Sequence, residues 1–261
     1  MPGHEDDLAL LIDAACAAGE IARRHFGDGP KSWDKGDGQG PVSEADLEVD
    51  AMLKARLLAA RPDYGWLSEE TADSPARLDR ESIFIIDPID GTRAFLDGQT
   101  GFAHALAVVT KGRPVAAVVY LPMLGHLYRA AAGMGAYLGQ QRLRVTGHAE
   151  LDGARILATR KHVGPDHWPR GLCAIERHFR PSLAWRMALV AEGQFDAMLT
   201  LRPAWHWDIA AGALLVHEAG GTLSTGAGGG LHFNTPRPMS DGVIAAGPAL
   251  HSEILARRGR V

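Results

Sequence analysis

The chain has 261 residues, 46% hydrophobic and 22% charged, with a formal charge of −4. That is enough ordinary globular material for one large domain or two packed halves around a sizeable core. The acidic balance argues against a general nucleic-acid binder, which needs a basic excess, but it leaves room for a small anion held by metal.

Two cysteines, Cys16 and Cys173, give neither a disulfide framework nor a metal-ligand spacing. The acidic start lacks the features of a signal peptide, and no apolar run reaches membrane length, so a soluble cytoplasmic protein without membrane contacts is expected. A helix is predicted over residues 6–26, with Leu8, Leu11, Ile12, Ala15, Ala18, Ile21 and Ala22 on one face. Residues 27–40 hold five glycines and read as a loop carrying Lys35. A second helix starts after Pro41-Val42, where Ser43 and Asp46 have the spacing of a capping box. Leu47, Met52, Leu53, Leu57 and Leu58 supply its buried stripe.

A short strand at 65–68 runs into Glu69 and Glu70, and a polar loop leads to the apolar run 83–86. Pro88 lacks a backbone donor, so that strand is expected to stop there. Runs at 102–110, 113–121, 127–131 and 135–145 read as an antiparallel meander. The pattern relaxes near 146–152, dividing an N-terminal half, 1–146, from a C-terminal half, 147–261. The second half alternates: strands at 154–158 and 173–175, a helix at 184–193, a strand at 197–201 and a helix at 208–219. Strands at 221–224 and 242–246 and a helix at 248–257 complete it.

The chemistry concentrates in Ile83-Phe84-Ile85-Ile86-Asp87-Pro88-Ile89-Asp90-Gly91-Thr92. Two carboxylates on a stiff turn repel each other unless a cation lies between them. Hard oxygen ligands favour Mg²⁺ or Ca²⁺. Gly91 lets the backbone approach a ligand, and Gly91-Thr92 can open a helix whose amides face an anion. Glu69 closes another strand. Asp208 stands at the start of an apolar helix, where a capping role alone would explain it. Metal plus anion suggests phosphate chemistry. No pair among the twelve histidines has zinc-ligand spacing.

DPIDGT after an apolar strand resembles the signature of the inositol monophosphatase family, Mg²⁺-dependent phosphatases that include the CysQ-type bisphosphate nucleotidases. Trp207-Asp208-Ile209-Ala210-Ala211-Gly212, followed by Glu218-Ala219-Gly220-Gly221, is similar to the family's second signature. The resemblance implies an α+β fold, a layered α/β/α/β/α sandwich with the site between its halves. It implies a first Mg²⁺ on Glu69, Asp87 and the Ile89 carbonyl, and a second on Asp87, Asp90 and Asp208. A third ion would use Glu69 and waters, and Mn²⁺ would substitute. Thr92 and Asp46 would orient the attacking water, with Glu69 also in the catalytic set. Gly91, Thr92, Arg186 and Asp208 would contact substrate. Glu70, Lys35 and His206 would lie behind these groups.

The substrate is expected to be a small phosphorylated metabolite. Many inositol-specific members place a glutamate about seven residues before the second-signature aspartate, where this chain has Leu201. An apolar side chain cannot grip sugar hydroxyls. With Leu67-Ser68-Glu69-Glu70, that difference favours a 3'(2'),5'-bisphosphate nucleotidase. Inositol 1-phosphate, histidinol phosphate or a sugar phosphate are the alternatives, and a catalytically silent phospholigand-binding regulator is the rival of another class. Homodimers are common in the family.

Overall fold

A computed structural model of the protein describes residues 3–27, 29–36 and 40–259. The glycine-rich expectation for residues 27–40 therefore falls partly outside the described residues, at 28 and 37–39. So do residues 1 and 2 of the acidic start.

In chain order, helix α1 (His4–His25) is followed by strands β1 (Ser32–Asp34) and β2 (Pro41–Ser43), helix α2 (Glu44–Ala60), and strands β3 (Gly65–Ser68) and β4 (Ser82–Asp90). Helix α3 (Thr92–Leu96) leads into strands β5 (Ala103–Thr110), β6 (Arg113–Leu121), β7 (His126–Ala131), β8 (Gly135–Leu138) and β9 (Gln141–Arg142). Strands β10 (Arg155–Ala158) and β11 (Glu176–His178), helix α4 (Leu183–Ala191), and strands β12 (Ala197–Thr200) and β13 (Ala204–Trp205) come next. Helix α5 (His206–Glu218), strands β14 (Thr222–Ser224), β15 (Met239–Ser240) and β16 (Val243–Ala246), and helix α6 (Pro248–Arg257) close the chain.

Five layers form because the two main sheets are apolar on both faces. Along β4, Phe84 and Ile86 join Leu11, Ala18, Val49, Leu53 and Leu57 of α1 and α2. Ile83 and Ile85 point the other way, into a core with Met187, Leu215 and Val216 of α4 and α5. The period of two sends alternate residues to the two cores, so both must be apolar and no polar alternation remains. Met198, Val243 and Ala245 of the second sheet cover the far side of α4 and α5. Its outer face, with Leu199 and Ile244, packs on Leu250 and Ile254 of α6. Each fully buried isoleucine or leucine contributes about 1.5–3 kcal/mol. The result is the α/β/α/β/α order expected from the resemblance.

The large sheet runs β3-β4-β5-β6-β7-β8-β9 and the smaller one β11-β10-β12-β16-β14. The large sheet is not wholly antiparallel, because β3 pairs with β4 in parallel. A short helix (Pro75–Asp79) carries the intervening connection. The strand expected at 173–175 forms instead at β11, three residues later. The helix expected from 184 begins at Leu183, capped by the Ser182 side chain accepting from the Trp185 amide. Within α2, Leu47 is exposed rather than part of the stripe. The buried line is Ala45, Val49, Leu53 and Leu57, spaced four apart, and a residue two along from Ala45 faces away from it.

Candidate active site

The strand that carries the first two aspartates does not stop at proline. β4 continues to Asp90 through a bulge: Asp87 pairs with Ala105 and Asp90 with Ala103, so the register slips between them. Proline is tolerated at a bulge because the ladder bond it cannot make is already missing there. Gly91 follows at φ 99°, a left-handed conformation that glycine adopts without Cβ strain, and turns the chain into α3. That helix has only five residues.

Asp208 arrives from α5. It sits three residues inside the helix rather than at its cap, and its Oδ2 accepts from the Trp205 amide at 3.2 Å. The close approach of α5 to α4 depends on Gly212, where an added Cβ would lie 2.6 Å from Cβ of Met187. The two helices thereby bring Asp208 to the end of β4. Asp87, Asp90 and Asp208 each offer a carboxylate oxygen, and these oxygens lie within 4.8 Å of one another.

Three carboxylates this close suppress one another's ionisation. Burial raises the Asp87 carboxyl well above its ordinary range, and Glu69, Asp90 and Asp208 add to the effect. Desolvation raises Asp208 likewise, followed by Asp90 and Glu69. Asp90 is raised by burial, although its Oδ2 accepts from Ser182 Oγ and from the Ala184 amide, each at 2.6 Å. Oδ1 of Asp87 is buried with no hydrogen-bond partner. A buried carboxylate oxygen left unpaired is costly, and a divalent cation removes the cost and the mutual repulsion together. The donor set is all oxygen, which suits Mg²⁺, Mn²⁺ or Ca²⁺ and not a soft metal.

Glu69 follows β3, its amide donating to the Ile86 carbonyl at 3.3 Å. It is not among the three converging oxygens. Its Oε1 instead receives Nζ of Lys35 at 2.8 Å, and the same ammonium reaches Oε1 of Glu70 at 2.6 Å. Lys35 is thus no solvated loop lysine. Burial pulls its proton affinity down, but the two glutamates outweigh that and raise it. Glu70 is pushed up to about 7 by burial and by Glu69.

Thr92 and Asp46 lie within hydrogen-bond distance of each other. Oγ1 of Thr92 lies 3.2 Å from Oδ1 of Asp46 and 3.1 Å from the Ile89 carbonyl. Asp46 also closes the capping box of α2, accepting from the Ser43 amide at 2.8 Å. Burial lifts its carboxyl to about 6. Capping and the contact to Thr92 therefore coexist, one on each oxygen.

A cleft of about 680 Å³ opens beside these groups, lined by Gly91, Thr92, Asp90, Asp208 and Glu69 and by the cations Arg93, Lys161, Arg186 and Arg202. Arg186 is buried, donates to the carbonyls of Arg180 and Pro181, and stacks on Phe179. Burial holds its guanidinium down to about 10. Thr200 and Arg202 face the cleft, whereas Leu201 between them packs on the core under α6. His206 does not line the cleft: it is buried against Phe233, its ring kept neutral by burial, down to about 4. Lys161, Arg202 and the Ser182 contact to Asp90 were not singled out from sequence. Ser182 was in principle visible, as a serine directly before the apolar run Leu183-Ala184-Trp185.

The sequence matches the inositol monophosphatase family over residues 4–261. The chain belongs to the inositol monophosphatase family. It is 34% identical over 258 residues to an inositol-1-monophosphatase of Rhizobium meliloti (strain 1021), covering 92% of this chain and 91% of that one. It is 30% identical over 261 residues to the Nus factor SuhB of Escherichia coli (strain K12), covering 95% and 94%. Among solved structures, the IMPase of Thermotoga maritima superposes with a TM-score of 0.83 at 27% identity, covering 97% of each chain. The suhB protein of Bartonella henselae gives 0.81 at 28%, covering 97% and 98%. Members of the inositol monophosphatase family are phosphatases and generally metal-dependent, and the cluster of Asp87, Asp90 and Asp208 could hold a metal ion. No helix among the described residues is long and apolar enough to cross a membrane.

Proposed function

We propose that the protein is a Mg²⁺-dependent phosphomonoesterase acting on a small phosphorylated metabolite, with inositol 1-phosphate the first substrate to test. The observation that carries this reading is the convergence of Asp87, Asp90 and Asp208 with an unpaired buried oxygen on Asp87. These three, with Glu69 and the Ile89 carbonyl, would hold the ions. Bound there, Mg²⁺ supplies charge neutralisation for the phosphoryl oxygens and makes a water acidic enough to attack at neutral pH.

The chain's own groups do the rest. The Thr92 hydroxyl is held by Asp46 and presents its lone pairs to the attacking water. Asp46, poised near 6, is a suitable acceptor for the proton that the water loses. Gly91 and Thr92 line the place where the phosphoryl group would sit. Water oxygen bonds to phosphorus, the ester P–O bond breaks, the attacking water's proton goes to Asp46, and the leaving alkoxide takes a proton from solvent water to give the alcohol.

The names of the relatives favour inositol 1-phosphate over the bisphosphate nucleotide expected from sequence. One observation keeps a second reading: Lys161, Arg202 and Arg93 are exposed in the cleft and form no ion pair among the described residues. Unneutralised cations lining the same cleft as the carboxylates suit a substrate with a second phosphate. Phosphate release from inositol 1-phosphate, a nucleoside 3',5'-bisphosphate, histidinol phosphate and fructose 1,6-bisphosphate tests both readings. Release should require Mg²⁺ and fall by about 100-fold or more in Asp90→Asn. Turnover that survives EDTA, or that is unaffected by Asp90→Asn, would count against the reading. Mg²⁺ binding without turnover on the whole panel would favour a phospholigand-binding regulator.

A further inference from the structure

Side chains along a strand alternate between faces, so residues three apart should point to opposite sides. Asp87 and Asp90 are three apart, yet both contribute to one cluster. The bulge accounts for this. Pro88 and Ile89 together lie opposite one residue of β5, because Ala105 pairs with Asp87 and Ala103 with Asp90. The extra residue restores the phase, and both carboxylates turn the same way.

A bulge frees backbone groups that must find other partners. Pro88 has no N–H to satisfy. The Ile89 carbonyl lies 3.1 Å from Oγ1 of Thr92, whose single proton it shares with Asp46. The Pro88 carbonyl accepts from Nδ1 of His104, the residue of β5 that faces the bulge. His104 is completely buried, with the rings of Phe102 and Tyr120 each 6.3 Å away. Its second nitrogen, Nε2, has no partner. The ring therefore carries an unmet cost of its own, and its one hydrogen bond goes to the peptide between the two aspartates.

We propose that His104 is a positioning residue for the carboxylate centre: its Nδ1–H pins the Pro88 carbonyl and so holds β4 in the bulged register that aims Asp87 and Asp90 together. It lines neither the cleft nor the cluster of converging carboxylates. Its role rests on the metal reading above, and binding rather than turnover separates the two. The test uses EDTA-treated protein, with Mn²⁺ affinity measured by calorimetry and Tm measured alongside. His104→Leu fills the same space, removes the orphan nitrogen and cannot donate. His104→Asn keeps an N–H donor.

The expected result is Mn²⁺ binding about 10–100-fold weaker in His104→Leu and within about threefold of wild type in His104→Asn. Wild-type affinity in a folded His104→Leu overturns the proposal, even if its Tm falls, because a purely structural residue would change only Tm. If His104→Leu does not fold, His104→Asn decides: an affinity weakened about tenfold or more overturns the proposal, and near-wild-type affinity supports it. A wild type that binds no Mn²⁺ would overturn the metal reading and this role with it.

Discussion

Asp46 offers a quantitative check on the electrostatics of the site. Its carboxyl is raised from 3.8 to about 6, chiefly by burial, against the opposing hydrogen bonds from Ser43. The folded state thus holds the proton more tightly than the unfolded chain does. That contribution to stability is fully present below the unfolded value and is lost as pH rises through about 6. At about 1.4 kcal/mol per pH unit the whole effect is about 3 kcal/mol, of which about 2 kcal/mol falls between pH 4.5 and 7. Asp46→Asn keeps an acceptor for the Ser43 amide but cannot titrate. Thermal melts of both proteins in EDTA, at pH 4.5 and pH 7, isolate the term. Asp46→Asn should gain on wild type by roughly 4–8 °C in Tm over that interval. A Tm difference that does not change with pH would refute the reasoning, since it would mean that Asp46 ionises as freely folded as unfolded.

The same variant, assayed with Mg²⁺, should retain its fold and lose about 10²-fold or more in kcat, because the water loses its proton acceptor; unchanged kcat would remove Asp46 from the catalytic set. Lys35→Met takes away the ammonium between Glu69 and Glu70. It should lower Tm in EDTA by an amount equivalent to about 1–3 kcal/mol and tighten Mn²⁺ binding, since the lysine no longer competes for Glu69; calorimetry and melts that match wild type would contradict this. Gly212→Ala drives a Cβ into Met187 and should cost about 1–3 kcal/mol of stability in urea unfolding.

What the sequence conveys about this molecule follows from how local each determinant is. The capping box at Ser43 and Asp46 is a contact between residues three apart, and it forms as read. The apolar run before Asp87 announces a strand buried on both faces, and β4 is one. The strand was expected to end at Pro88 because a proline removes a ladder bond. It continues because the bulge between Asp87 and Asp90 places Pro88 where no ladder bond is needed, and that bulge depends on the pairing with β5 rather than on local pattern. The parallel pairing of β3 with β4 was hidden for a similar reason: it depends on a crossover, not on local pattern. The resemblance places Lys35 behind the metal-binding groups, but its own loop does not reveal its partners. Its partners Glu69 and Glu70 are 34 and 35 residues away. Residues such as Lys161 and Arg202 carry no motif at all, and only the fold brings them to the cleft.

The central claim is that carboxylates from β4 and α5 together bind a divalent cation, and Mn²⁺ titration of EDTA-treated wild type and Asp208→Asn tests it most directly. The account predicts saturable binding by the wild type and binding weaker by about tenfold or more once the α5 ligand is neutralised. Equal affinity in the two proteins, or no binding by the wild type, would contradict it.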